Sequence, residues 1–508
     1  MDKLFDKNFR SIFFLIILFE LLSFAVYLFP GLSNWLFIIL AIVAFIVTLI
    51  KLEYGIYLLL AELLLTSKGY LFYFEYQGVT ISFRIALWLI IISVWLALKL
   101  IDWFKNKKID LALVKSRFFP YYLGLFIFIF ASLINGLINA LINRTEFSNL
   151  FFDFNAWLYF LLIFPIYDAF NNKPNLKVIF QIFLASLSWL SLETLGLLYA
   201  FSHNFSLAIF ELYGWLRISG VGEITLIQGG FYRIFLQAQI FVLIGIFIYL
   251  FYLSRTLNQK INDKKSLIIV SLCLATLLAT ILVSFSRSFW FGLFGGLICW
   301  WLLDILVIKI KFRQFIFKNV LLLGALLFSV ILVVIIVKFP LPEPTGGFAT
   351  TEILALRAGQ ISDEAAAASR WQLLPKLWQK IMEQPIFGSG FGATVTYQTN
   401  DPRILESNPT GLYTSYAFEW GWLDLWLKLG LLGVLIYLYL IFQLIYRVLS
   451  KKFAPVQNYP LLLSLITGII VIALVNIFSP YLNHPLGIGY LILATYLIDY
   501  YTEGKALA

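Results

Sequence analysis

The chain has 508 residues and a formal net charge of +10; 61% of it is hydrophobic, 18% aromatic and 13% charged, with a mean hydropathy of +0.91. Soluble domains carry about 25% charged residues, so a soluble protein is excluded and the length does not translate into several soluble domains. The composition is that of one helical membrane bundle with an extramembrane insertion, an all-α polytopic protein.

Apolar runs long enough to cross a ~30 Å hydrocarbon core recur along the whole length, at 11–29, 33–50, 53–67, 82–100, 119–141, 155–170, 178–201, 234–254, 266–284, 289–308, 318–338, 425–446, 459–479 and 485–501. That is about fourteen spans, or twelve if the short third and sixth runs do not cross. The first run follows Lys3, Lys7 and Arg10 as a signal peptide would, but no small-residue cleavage site follows it, and it reads as a permanent helix. Cys273 and Cys299 fall inside apolar runs and imply no disulfide framework.

Most of the 37 Lys and Arg residues fall in alternate loops, above all Lys99, Lys105, Lys107, Lys108, Lys115 and Arg117. The positive-inside rule assigns those loops and both termini to the cytoplasm. The net charge is then membrane topology and implies no nucleic acid. The opposite segments are short except Ser202 to Arg233 and Phe339 to Asp424. The division that follows is a bundle over 1–338 with about eleven helices, an extracytoplasmic loop over 339–424, and about three C-terminal helices over 425–508. No internal repeat or inverted pair of broken spans stands out, as it would in many secondary transporters.

The long loop opens with PLPEPTGG (Pro340 to Gly347) and carries AAAASRWQLLPKLWQKIMEQPIFGSGFG (Ala365 to Gly392). Ser362 or Asp363 suits a helix cap, and Asp363 and Glu364 suit the positive end of a helix. Trp371, Leu374, Trp378 and Ile381 recur at helical spacing as one apolar stripe, with Arg370, Lys376 and Lys380 beside it. Such a helix can lie on a membrane face with its indoles at headgroup level. Pro385 stops it, and Gly388, Gly390 and Gly392 allow a turn with exposed N–H groups, an anion nest.

Arg287 sits in Ser284-Phe285-Ser286-Arg287-Ser288 between two apolar runs. A guanidinium there, flanked by hydroxyls, can grip a phosphate bidentately. Arg233, Arg84 and Arg217 also fall at the outer level, and several cations around one mouth would attract an anionic lipid headgroup. Each also reads as a snorkelling interface residue. Glu20, Glu62 and Glu193 lie within spans, where an acid is either functional or paired with an arginine. His203 and His484 are outer-side candidates for a base, though two histidines without a Cys or acidic cluster make no metal site. No nucleotide fingerprint is present.

Ser286-Arg287-Ser288 opening a span, Arg370-Trp371 and PIFGSGFG in the long loop, and LKLGLLG (Leu427 to Gly433) in the next span resemble the O-antigen ligase and polymerase superfamily. The resemblance covers mainly 280–435. It implies a GT-C-like membrane fold, no nucleotide, no metal and no other cofactor. It implies a multi-pass protein of the inner (cytoplasmic) membrane that moves a glycan from a polyprenyl-diphosphate carrier to an acceptor hydroxyl on the outer side, under the large loop. The implied partners are the lipid-linked oligosaccharide donor, a glycan or glycolipid acceptor, and the bilayer. Donor diphosphate would be held by Arg287, Arg233 and Arg370, with Arg84 and Arg217 as further candidates. The ligases carry a His-Asn pair eleven residues before the glycine that matches Gly430, and this chain has Glu419 there. That departure favours a polymerase of surface polysaccharide repeat units, or a transferase with another acceptor, over a lipopolysaccharide ligase, with Glu419 as the base. Trp371, Trp420, Trp422 and Tyr413 would stack on sugar faces. A transporter of an anionic lipid-linked glycan is the rival reading, using the same arginines.

Overall fold

The structure, a computed structural model, describes residues 6–143, 147–170, 175–203, 205–227, 230–258, 264–345, 365–450 and 459–502. It is dominated by helices: α1 (Lys7–Leu28), α2 (Ser33–Ile50), α3 (Leu52–Leu65), α4 (Phe83–Asn106), α5 (Phe119–Asn143), α6 (Phe147–Phe154), α7 (Ile163–Ala169), α8 (Leu176–Ser202), α9 (Ser206–Ile218), α10 (Gln239–Asn258), α11 (Lys264–Ser284), α12 (Arg287–Leu303) and α13 (Phe312–Val337). After these come α14 (Ala365–Glu383), α15 (Pro402–Ser407), α16 (Gly421–Leu449), α17 (Tyr459–Val475) and α18 (Pro485–Thr502). Sheet among the described residues is limited to three antiparallel hairpins: β1 (Tyr73–Tyr76) with β2 (Val79–Ser82), β3 (Gly222–Ile227) with β4 (Phe231–Leu236), and β5 (Val395–Gln398) with β6 (Leu412–Ser415).

Ten helical segments among the described residues are long and apolar enough to cross a bilayer, and Gln239–Ser254 and Tyr459–Val475 are apolar but shorter. Fourteen apolar runs therefore do not become fourteen long helices. The run 53–67 is the 14-residue α3, which rises only about 21 Å. The run 155–170, by contrast, is part of the span Phe147–Ala169, which passes through a 3-10 helix over Asn155–Leu162 before α7.

The chain forms two compact units. The first comprises 1–113, 162–348 and 455–471. Helix α10 is at its centre: Ile240, Phe241, Val242, Leu243 and Ile244 are all buried, as a helix apolar on every side requires. Two of its buried cations, Lys318 and Arg84, are paired with acids. Lys318 meets the Asp304 carboxylate, donates to Ser254 Oγ at 2.6 Å and lies 5.0 Å from the Trp300 ring centroid. Glu62 pairs with Arg84 at 2.9 Å. Glu20 on α1 and Glu193 on α8 are also buried.

The second unit comprises 114–161, 349–454 and 472–508. It groups the long loop with α5, α6, α16 and α18, and so cuts across the linear division 1–338, 339–424 and 425–508. Tyr122 Oη lies 2.9 Å from Thr495 Oγ1 and Tyr437 donates to the Leu482 carbonyl at 2.8 Å, tying α5, α16 and α18 together. The loop is not only helical. β5 and β6 form a hairpin beside α14, and Leu373, Leu377 and Ile381 of α14 pack on Val395, Tyr397, Phe418 and Leu427. This corrects the expected stripe: Ile381 is buried, while Trp371 and Trp378 point outward at 53% and 46% exposure. The cap expected at Ser362 or Asp363, and the end of PLPEPTGG, lie outside the described residues.

Candidate active site

The centre of the second unit is a break in a spanning helix. Gly430, in LKLGLLG, has φ +71° inside α16, a conformation open to glycine and strained for other residues. The helix cannot continue its i→i−4 bonds through such a residue, and backbone groups in an apolar layer must find other partners. PIFGSGFG supplies them. Ser389 N donates to the Leu427 carbonyl at 2.6 Å and Gly390 N to the Lys428 carbonyl at 3.2 Å. In return Leu431 N donates to the Pro385 carbonyl at 2.9 Å and Leu432 N to that of Ile386 at 3.3 Å.

Helix α5 holds the turn from its other side. Ser132 Oγ donates to the Lys428 carbonyl at 2.8 Å, Asn135 Nδ2 to that of Gly388 at 2.8 Å, and Asn139 Nδ2 to that of Ser389 at 2.9 Å. A Cβ on Gly390 would meet Gly136 N at 2.5 Å and Ser132 O at 2.8 Å, so the close approach itself requires glycine. The expected anion nest is therefore corrected. Gly388 N donates to Gln384 O, Phe391 N to Ser132 O and Gly392 N to Asp153 Oδ2, and together with Ser389 and Gly390 all five N–H groups of the turn are spent on the protein.

Beneath the turn is a charge cluster that the sequence reading missed. Lys428 Nζ lies 2.5 Å from Asp153 Oδ1 and 2.7 Å from Asp424 Oδ1, with all three side chains buried. The other Asp153 oxygen accepts from Gly392 N at 2.8 Å, and Asn483 Nδ2 donates to Asp424 Oδ2. The Phe418 ring centroid is 6.0 Å from Lys428 Nζ. Every carboxylate oxygen thus faces a donor, the condition under which a buried polar network is stable. The available signal was one charge, Lys428, inside an apolar run and two acids at the edges of runs, one of them, Asp424, at i, i+4 to it.

Phe418 leads directly to Glu419, whose carboxylate forms an ion pair with Arg370 Nε; the side chains are 51% and 44% exposed. Trp420 Nε1 donates to the Arg370 carbonyl at 3.1 Å, and the Trp371 and Trp420 rings stand edge to face with centroids 5.2 Å apart. The structure thus brings together Arg370, Trp371, Glu419 and Trp420 of the expected site. Tyr413 is close to Tyr397, at 5.9 Å between centroids, and burial raises the Tyr397 hydroxyl above the usual phenol range. Trp422 is directed elsewhere: its Nε1 donates to the Ala473 carbonyl at 3.0 Å, pinning the start of α16.

In the first unit, Arg287 is the first residue of α12 and half-buried. The turn before it is tight: Phe285 has φ +44°, and Ser286 Oγ and Ser288 Oγ are 3.0 Å apart. Arg233, on β4, donates from Nε to the Ser284 carbonyl of this turn at 2.9 Å, so two of the expected diphosphate-binding arginines share one locus. Arg84 does not join them. It is buried, and its Nε reaches Glu62, its Nη1 the Ser67 carbonyl at 2.5 Å, and its Nη2 Thr66. Arg217 is exposed on α9, its Nη1 3.0 Å from Tyr213 Oη. His203 is buried with ring nitrogens 2.8 Å from the Tyr199 and Phe339 carbonyls, a fastening rather than a solvated base. His484 Nδ1 accepts from Leu486 N at 3.4 Å at the start of α18.

No curated protein matches the chain. The family model described as O-antigen ligase matches residues 272–438. That stretch runs from within α11 to within α16 and contains Arg287, Arg370, PIFGSGFG, Glu419, Lys428 and Gly430. Over those residues the chain is similar to the O-antigen ligase/polymerase superfamily, whose members are glycan-transferring enzymes.

Proposed function

We propose that the protein transfers a glycan from a polyprenyl-diphosphate carrier to an acceptor hydroxyl, as a polymerase of surface polysaccharide repeat units, on the extracytoplasmic side of the inner membrane. The observation that carries this reading is the Arg370–Glu419 ion pair, half exposed, framed by Trp371 and Trp420 and lying inside the family-matched segment. A cation and a carboxylate side by side are what displacement at a sugar diphosphate needs. The acceptor oxygen bonds to the anomeric carbon while the bond from that carbon to the phosphate oxygen breaks. The acceptor proton passes to the Glu419 carboxylate. The electron pair leaves with the polyprenyl diphosphate, whose growing charge guanidinium groups offset.

In this reading the incoming diphosphate competes with Glu419 for Arg370. Donor binding then releases the carboxylate to act as a base. Arg287 and Arg233, on one turn of the first unit, are further guanidinium groups that an anion can use, and Trp371, Trp420 and Tyr413 offer faces to sugar rings. Arg84 stays with the fold.

The test is chain extension in membranes supplied with a lipid-linked repeat unit. Wild-type protein should give a polymer ladder. Arg287→Ala and Glu419→Gln should give none, at unchanged protein level. Full activity of both variants would refute the assignment. Deletion cells that accumulate long carrier-linked polymer, instead of single repeat units, would make the protein a ligase.

A further inference from the structure

We propose that the turn Pro385–Gly392 is re-entrant: it dips into the bilayer beside α16, and Ile386 and Phe387 rest against lipid acyl chains. Helix α16 is the ruler. Its 29 residues span about 43 Å at 1.5 Å per residue, more than the ~30 Å hydrocarbon core. Arg447 in its last turn marks one boundary, because a cation settles at the interface. About 20 residues are needed to cross the core, and counting back from Arg447 reaches Leu427. Trp420, Trp422 and Trp426 then fall at the other interface, where indoles collect, and Gly430 falls inside the core.

The turn is bonded at that depth. Pro385 and Ile386 accept from Leu431 and Leu432, on the core side of Gly430. Ile386 and Phe387 are nevertheless 52% and 70% exposed. The stretch QPIFGSGFG has no charged residue, and its backbone N–H groups from Gly388 to Gly392 are all satisfied internally. Re-entrant backbone is tolerated at membrane depth where protein covers it, as Ser132, Asp153, Leu427 and Lys428 cover the backbone of Ser389 to Gly392. The exposed apolar surface continues into Leu431, Leu432 and Leu435 of α16, which faces lipid in any spanning helix. Acyl chains are therefore the occupant. The long loop is not wholly water-facing, and its C-terminal half is bolted into the leaflet at this point.

Spin labels on the full-length protein in lipid nanodiscs test this. In a background with Cys273→Ala and Cys299→Ala, labels are placed at Phe387→Cys, at Leu435→Cys as the lipid reference and at Thr410→Cys as the water reference. The Phe387 label should collide with oxygen and be shielded from a water-soluble nickel chelate as the Leu435 label is, with several-fold less nickel contact than the Thr410 label. Nickel contact equal to that at Thr410 would overturn the proposal. Should Phe387→Cys fail to fold, Ile386→Cys gives the same reading.

Discussion

Arg370 and Glu419, distant in sequence, close on each other as an ion pair where the long loop meets α16. Half-exposed pairs of this kind contribute about 0–1 kcal/mol to stability. Removing either partner should leave the protein extractable and monodisperse while transfer fails. Glu419→Gln should reduce chain extension by about 10²–10⁴-fold, the usual worth of a general base. The exchanged pair Arg370→Glu with Glu419→Arg should restore the contact and not the activity. An active exchanged variant, in a polymer-ladder assay, would show that the pair is only structural.

Lys428 belongs to the fold in a different way. Lys428→Met leaves Asp153 and Asp424 buried without their cation, a change that costs about 3–5 kcal/mol. Loss of folded protein in detergent thermal scans is the expected result. Adding Asp153→Asn and Asp424→Asn removes the stranded charges and should recover most of the midpoint. A triple variant no better than Lys428→Met would show that the ammonium has another task.

Gly430→Ala should destabilise by about 2–4 kcal/mol. The new Cβ overlaps the Ile386 carbonyl oxygen, and φ is +71°. Gly390→Ala should behave alike. Gly31→Ala, with nothing within 4 Å of its Cβ position, is the control and should be silent. Chemical unfolding of the three variants side by side makes the comparison.

Arg84→Met and Arg233→Ala separate fold from site. Arg84 is buried with Glu62 at 2.9 Å, so Arg84→Met should unfold the first unit and Glu62→Gln should rescue it. Arg233 is half-buried on the turn that bears Arg287. Arg233→Ala should yield folded protein with weaker donor binding, read as a raised KM for the lipid-linked repeat unit.

The residues of the candidate site were partly legible in the chain itself. Arg370 stood out beside Trp371 in the motif-bearing loop, and Glu419 because the resemblance puts it where the ligases carry a His-Asn pair. The Asp153–Lys428–Asp424 cluster did not, because Lys428 is hidden in a run that reads as span, both acids lie just outside such runs, and the Lys428–Asp153 pairing joins segments far apart in the chain. The parting of buried Ile381 from outward Trp371 and Trp378 was also invisible. Both faces of α14 carry apolar residues, and helical spacing alone does not say which one packs.

Sequence alone determined that this is a helical membrane protein with one long polar insertion, because length and hydropathy of a segment are local quantities and the bilayer reads them locally. Tertiary structure decided what PIFGSGFG is for. Its glycines read as an open nest for an anion, and instead they close the broken backbone of α16. Only the meeting of the two segments reveals this, because a broken helix in an apolar layer takes its hydrogen bonds from whichever neighbour can approach its backbone, and glycine lets this one come near enough.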